Sequence, residues 1–111
     1  MKNHQILAVH ILNAISRIEQ YVVGMNEQQF IDNFLIQDGV MRNIEVIAEA
    51  SKKIPKEIKD KFPDIPWRQI MAMRNKIIHE YFGVDLLAIW NVVQVDLPEL
   101  KIAITRINEI I

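Results

Sequence analysis

Cysteine is absent from the 111-residue sequence, which removes both a disulfide framework and a thiolate metal site. That absence suits a reducing compartment, and a cytoplasmic location is expected. Glycine and proline are scarce, at three and four residues, so chain breaks are few and easy to place. No apolar run reaches the roughly 18 residues of a membrane span. The opening stretch MKNHQILAVHILNAISRIEQ carries polar residues throughout, so neither a span nor a signal peptide is expected. Excess positive charge is missing too: 13 Lys and Arg stand against 14 Asp and Glu, for a net charge of −1. With a pI near 6.3, general coating of nucleic acid through phosphate neutralisation is disfavoured, although a small site for one or two phosphates is not.

What the chain does have is apolar material. Half of its residues, 50%, are hydrophobic, and the mean hydropathy is +0.08. A chain of this length is one domain, here residues 1–111. So small a body has much surface for its volume, so part of that apolar content is expected at a subunit interface, most simply that of a homodimer.

The apolar residues recur at helical steps. Leu7, Ile11, Ala14, Ile18 and Tyr21 predict a first helix over 3–22, ended by Gly24, with Asn26 capping the next. NEQQFIDNF reads as a short helix and LIQDGVMRNIEVIAEASKKI as a long one, with Val40, Ile44, Ile47 and Ile54 inward and Arg42, Glu45 and Glu49 on another face. PKEIKDKF makes a short helix with Pro55 as its first residue. Another runs from Pro66–Trp67 to about His79. The last segment, 85–111, steps through Leu86, Trp90, Val93, Leu97, Leu100, Ile104, Ile107 and Ile111, and Pro98 predicts a kink or a second start at Asp96–Leu97–Pro98. No segment alternates with the period of a strand. The expected fold class is all-α, an up-and-down bundle of four to five helices.

One stretch, RNKIIHEY at 74–81, does not fit. The inward stripe of its helix is Trp67, Ile70 with Met71, position 74, Ile77 with Ile78, and Tyr81, so Arg74 stands in the middle of it. A guanidinium cannot shed its proton, and burying it unpaired costs several kcal/mol. It must meet an anion: either Glu45 or Glu49 of the long helix, in a structural ion pair, or a phosphate that arrives later. At about 100° per residue, Tyr81 lies about 20° from Arg74 and His79 about 140° away. His79 therefore joins Arg74 only if the helix frays near Ile78 or a second copy of the chain supplies the missing wall. An arginine for phosphate oxygens, a histidine for proton transfer and a phenol suit metal-free phosphodiester cleavage.

The pattern R-x-x-x-x-H-x-Y, filled by Arg74, His79 and Tyr81 with the polar Asn75 after the arginine, resembles the signature of the HepT-like family of HEPN-domain proteins. MRNIEVIAEASKKIP, FPDIPWRQIMAMRNKIIHEYFGVD and IWNVVQVDLPEL extend the resemblance over essentially the whole chain. It implies a HEPN-like homodimer whose motifs face each other across the interface. It implies a metal-independent endoribonuclease, the toxin of a type VII-like toxin–antitoxin pair. The implied partner is a minimal nucleotidyltransferase antitoxin that neutralises the toxin by transferring AMP to the motif tyrosine. Carried over, Arg74 and His79 are the catalytic pair, Tyr81 the AMP acceptor, Asn75 a supporting residue, and Arg42 and Glu45 either the cleft rim or a structural ion pair. RNA is the implied substrate.

Other features point less sharply. Five lysines lie in residues 52–61 and either steer RNA toward the cleft or form the solvated face of a short helix. His4 and His10 have no ligand-spaced cysteine or acidic cluster near them, so no metal and no cofactor are expected. A different class of function also fits: a non-catalytic, nucleotide-binding or substrate-presenting partner subunit of a nucleotidyltransferase.

Overall fold

Helix α1 (Asn3–Val22) buries Ala8, Ile11, Ala14, Ile15, Ile18 and Val22 along one stripe. The computed structural model that contains it describes residues 3–79 and 83–109; Tyr81 and Ile111, both named above, lie outside the described residues. Gly24 ends α1 with φ at 74°, a left-handed conformation that glycine adopts without steric penalty. Asn26 then caps α2 (Glu27–Ile31) in a reciprocal box with Gln29. Asn33 caps α3 (Phe34–Lys53) by accepting from the backbone N–H of Ile36 at 3.0 Å.

Between these helices a single buried glutamine closes the turn. The Nε2 of Gln37 donates to the carbonyls of Phe30 at 2.9 Å and Ile31 at 2.8 Å, adding to the bond that Phe30 already accepts from the N–H of Asn33 at 3.2 Å and serving Ile31 at the end of α2. Phe30, fully buried, sets its ring 5.3 Å from that of Trp90 and ties α2 to the last segment of the chain. The short α4 (Lys56–Asp60) follows Pro55, which serves as its N-cap rather than its first helical residue.

Helix α5 (Trp67–His79) buries Ile70 and Ile77. Asp85 caps α6 (Leu86–Asn91) by accepting from Leu87 and Ala88. From there the chain stays helical through a π turn, Val92–Asp96, and α7 (Leu97–Glu109). The expected break has this form because Pro98 has no N–H to continue the ladder, and the backbone widens one turn earlier: the N–H of Leu97 donates to the carbonyl of Val92. The widened turn also divides the packing, with α6 against α2 and α7 against α1.

The expected bundle is thus realised as four long rods (α1, α3, α5 and the continuous α6–α7) with two single-turn helices between them, and no strand among the described residues. Helix α1 packs between α3 and α7, and α5 lies against α3. The core joins Ile11, Ile15 and Ile18 to Ile44, Ile47, Ile77, Leu100, Ile104 and Ile107. Replacing Gln37 by leucine keeps the bulk but removes the side-chain donor from Ile31 and leaves Phe30 with the N–H of Asn33 alone. Urea denaturation should find Gln37→Leu less stable by about 1 kcal/mol.

Candidate active site

Arg74 stands at the edge of the inward stripe of α5 and not, as expected, in its middle. The stripe of α5 centres on Ile70 and Ile77, which are buried, and Arg74 sits about 50° to one side of that line. Its side chain is 24% exposed, and its neighbour on that side, Ile78, is 44% exposed. The guanidinium thus keeps part of its hydration, as the cost of burying a charge requires. Trp67, Met71 and Met73 pack partly against the core, so the helix still presents one apolar face.

The anion that Arg74 meets is Glu49 of α3. Nη2 donates to the Glu49 carboxylate at 2.6 Å, a short charge-assisted bond. Nη1 donates to Oδ1 of the adjacent Asn75 at 3.1 Å, so the supporting asparagine holds the other arm of the fork. Nε is buried and meets no hydrogen-bond partner among the described residues. The group is therefore held at both tips, with its buried Nε–H unmet among the described residues.

Arg74 opens onto a cleft of about 420 Å³ walled by three helices. Leu7 and His10 come from α1, Arg74 and Ile78 from α5, and Arg42, Glu45, Val46, Glu49, Ala50 and Lys53 from α3. The charged α3 residues Arg42, Glu45, Glu49 and Lys53 follow one another at three- and four-residue steps, so a single helix face presents two carboxylates between two cations. At the rim, Arg42 is 3.7 Å from Glu45, three residues on, with side chains 75% and 30% exposed. That is the ion pair foreseen for these two, and they line the cleft as well.

His79 is the last residue of α5 and is exposed. The helix stays regular through it, so no fraying near Ile78 swings the imidazole toward Arg74, and His79 is not among the residues lining the cleft. The chain thus brings together Arg74, Asn75, Glu49, Glu45 and Arg42, and His79 is not among the described residues that line their cleft. His10 and Lys53 are cleft residues that sequence reasoning did not assign to the site. Nothing local marks them, because only the packing of α1 and α5 on α3 turns them toward Arg74.

The arrangement offers a fixed cation for a phosphate, a carboxylate beside it, and a mouth open to an extended ligand. Comparison with known proteins agrees with that chemistry. A family model described as "Ribonuclease HepT-like" matches residues 11–107. A Methanocaldococcus jannaschii protein, named as a gamma-glutamylcyclotransferase and provisionally as an RNase, is 43% identical over 108 residues. Those residues are 97% of this chain and 49% of that protein, so the chain spans about half its length. A second protein of the same organism, provisionally named an RNase, is 44% identical over 91 residues, 82% of this chain and 78% of its own. A Thermococcus cleftensis protein named as a probable ribonuclease HepT is 40% identical over 100 residues, 90% of this chain and 91% of its own. No solved structure matches the chain.

The Arg74–Glu49 pair contributes little to folding, because Glu49 is 45% exposed and half-solvated ion pairs are worth about 1 kcal/mol or less. Arg74→Met, which keeps most of the stem and loses the charge, should stay within about 1 kcal/mol of the parent in urea denaturation.

Proposed function

This chain belongs to the HepT-like ribonuclease family, and we propose that it is a metal-independent endoribonuclease, the toxin of a HEPN/nucleotidyltransferase toxin–antitoxin pair. The observation that carries this reading is the position of Arg74, held at both tips and facing an open cleft. Its charge suits the non-bridging oxygens of an RNA phosphate, where negative charge grows during phosphoryl transfer.

In this reading His79 handles a proton at the scissile bond, and it acts from a second protomer. The angle between positions 74 and 79 on one regular helix supports that assignment, since it separates the two side chains within a single chain. Two copies related by a two-fold axis would each offer an arginine to the other's histidine. Asn75 steadies the guanidinium, and Arg42 and Glu45 form the rim.

Tyr81 is the proposed acceptor of AMP from the partner nucleotidyltransferase. On a helical path it would follow Arg74 by two turns, near enough in angle for an added phosphate to compete for the same guanidinium. Modification would then block the site by charge and by volume together.

Both halves of this reading have direct tests. In the presence of a chelator, the parent protein should cut RNA, and Arg74→Ala and His79→Ala should each lose at least about 100-fold in rate. Unfolding and refolding the two variants together should restore about a quarter of parental activity, because half the dimers are mixed and each carries one intact composite site. Mixing without recovery would rule out the shared site, and parental protein that leaves RNA intact would leave only the substrate-presenting role. For the modification, incubation with ATP and the nucleotidyltransferase should add whole AMP units to the intact mass. Tyr81→Phe should gain none and should still cut RNA.

A further inference from the structure

The ribonuclease reading leaves one chemical role vacant. Metal-free cleavage of RNA through its own 2′-hydroxyl needs two proton carriers: a base that takes the proton of the attacking hydroxyl and an acid that protonates the leaving 5′-oxygen. His79 can fill one of them. We infer that Glu49, on the same guanidinium as the bound phosphate, is the general base of the reaction; this rests on the ribonuclease reading above.

Glu49 is placed for the role by three observations. Its carboxylate is 2.6 Å from Nη2 of Arg74, so a phosphate received by that guanidinium lies beside it. The 2′-hydroxyl is on the carbon next to the one bearing the 3′-phosphate, so the acceptor must stand next to the phosphate site, within hydrogen-bond reach. Glu49 also lines the cleft with its side chain 45% exposed, open to a ligand from the same side as Arg74. The other carboxylate of the cleft, Glu45, lies one turn earlier on α3, where its ion-pair partner is Arg42 at 3.7 Å and not Arg74. No imidazole hydrogen-bonds to Arg74 among the described residues.

The step balances without an added reactant. The 2′-O–H bond breaks as its proton passes to Glu49, and the 2′-oxygen forms a bond to phosphorus. The bond from phosphorus to the 5′-oxygen breaks, and that oxygen takes a proton from the protonated imidazole of His79. The products are a 2′,3′-cyclic phosphate and a 5′-hydroxyl end. Glu49 then gives its proton to water and His79 takes one back, so the enzyme is restored. Arg74 carries the negative charge that gathers on the non-bridging oxygens meanwhile.

Glu49→Gln separates this role from mere support of the arginine. The amide oxygen still accepts from Nη2, so Arg74 stays held, but the side chain no longer takes up a proton. With an RNA oligonucleotide as substrate, kcat should fall about 100- to 10,000-fold. Binding of a non-cleavable analogue with a 2′-deoxy sugar at the scissile position should change less than about threefold. Glu49→Ala should be equally slow and should regain at least about tenfold in rate with added formate, since a diffusing carboxylate replaces a lost base but not a lost structural contact. Glu49→Gln retaining kcat within about tenfold, or Glu49→Ala slow and deaf to formate, would overturn the inference while leaving the ribonuclease reading intact. Parental protein without activity would instead overturn the reading beneath it.

Discussion

The molecule is organised around one arginine that the core cannot fully absorb. Arg74 stands at the edge of the apolar face of α5, and the guanidinium must keep water, a carboxylate or a phosphate within reach. Glu49 meets that need from α3 at 2.6 Å. The cleft exists because α1, α3 and α5 cannot close over a charged group as they close over Ile11, Ile44 and Ile77. Stability and chemistry divide along that line: the isoleucine-rich interior holds the bundle, and the ion pair gives an anion a defined place to arrive.

Most of the fold was legible as periodicity. The first helix, the long third one and the helix bearing the motif begin and end close to where their apolar steps begin and end, and Gly24 and Asn26 mark the first turn as their chemistry predicts. The detail at Pro98 was not legible. A missing N–H foretells a disturbance, but whether the backbone kinks, restarts or widens is settled by neighbours, here α2 on one side and α1 on the other.

The site divides in the same way. Arg74 was visible because a charge on an apolar stripe is anomalous in one dimension, and its partner could be narrowed to two glutamates on α3. Its offset from the centre of the stripe depended on which residues α3 buries. His10 and Lys53 were invisible as cleft residues because each looks like an ordinary exposed polar residue until three helices are assembled. The separation of Arg74 from His79, by contrast, followed from helical geometry alone, and α5 remains regular through His79.

Among the described residues, every wall of the cleft is a helix face. Enzymes with loop-built sites diversify by lengthening or shortening those loops, and helix walls do not offer that route. One residue inserted into α3 between Glu45 and Glu49 would turn one carboxylate about 100° away from the other and dismantle the wall. Descendants of such a site can change their preferences only by exchanging side chains at fixed positions. A change that keeps these helix walls intact is thus a substitution of one side chain for another.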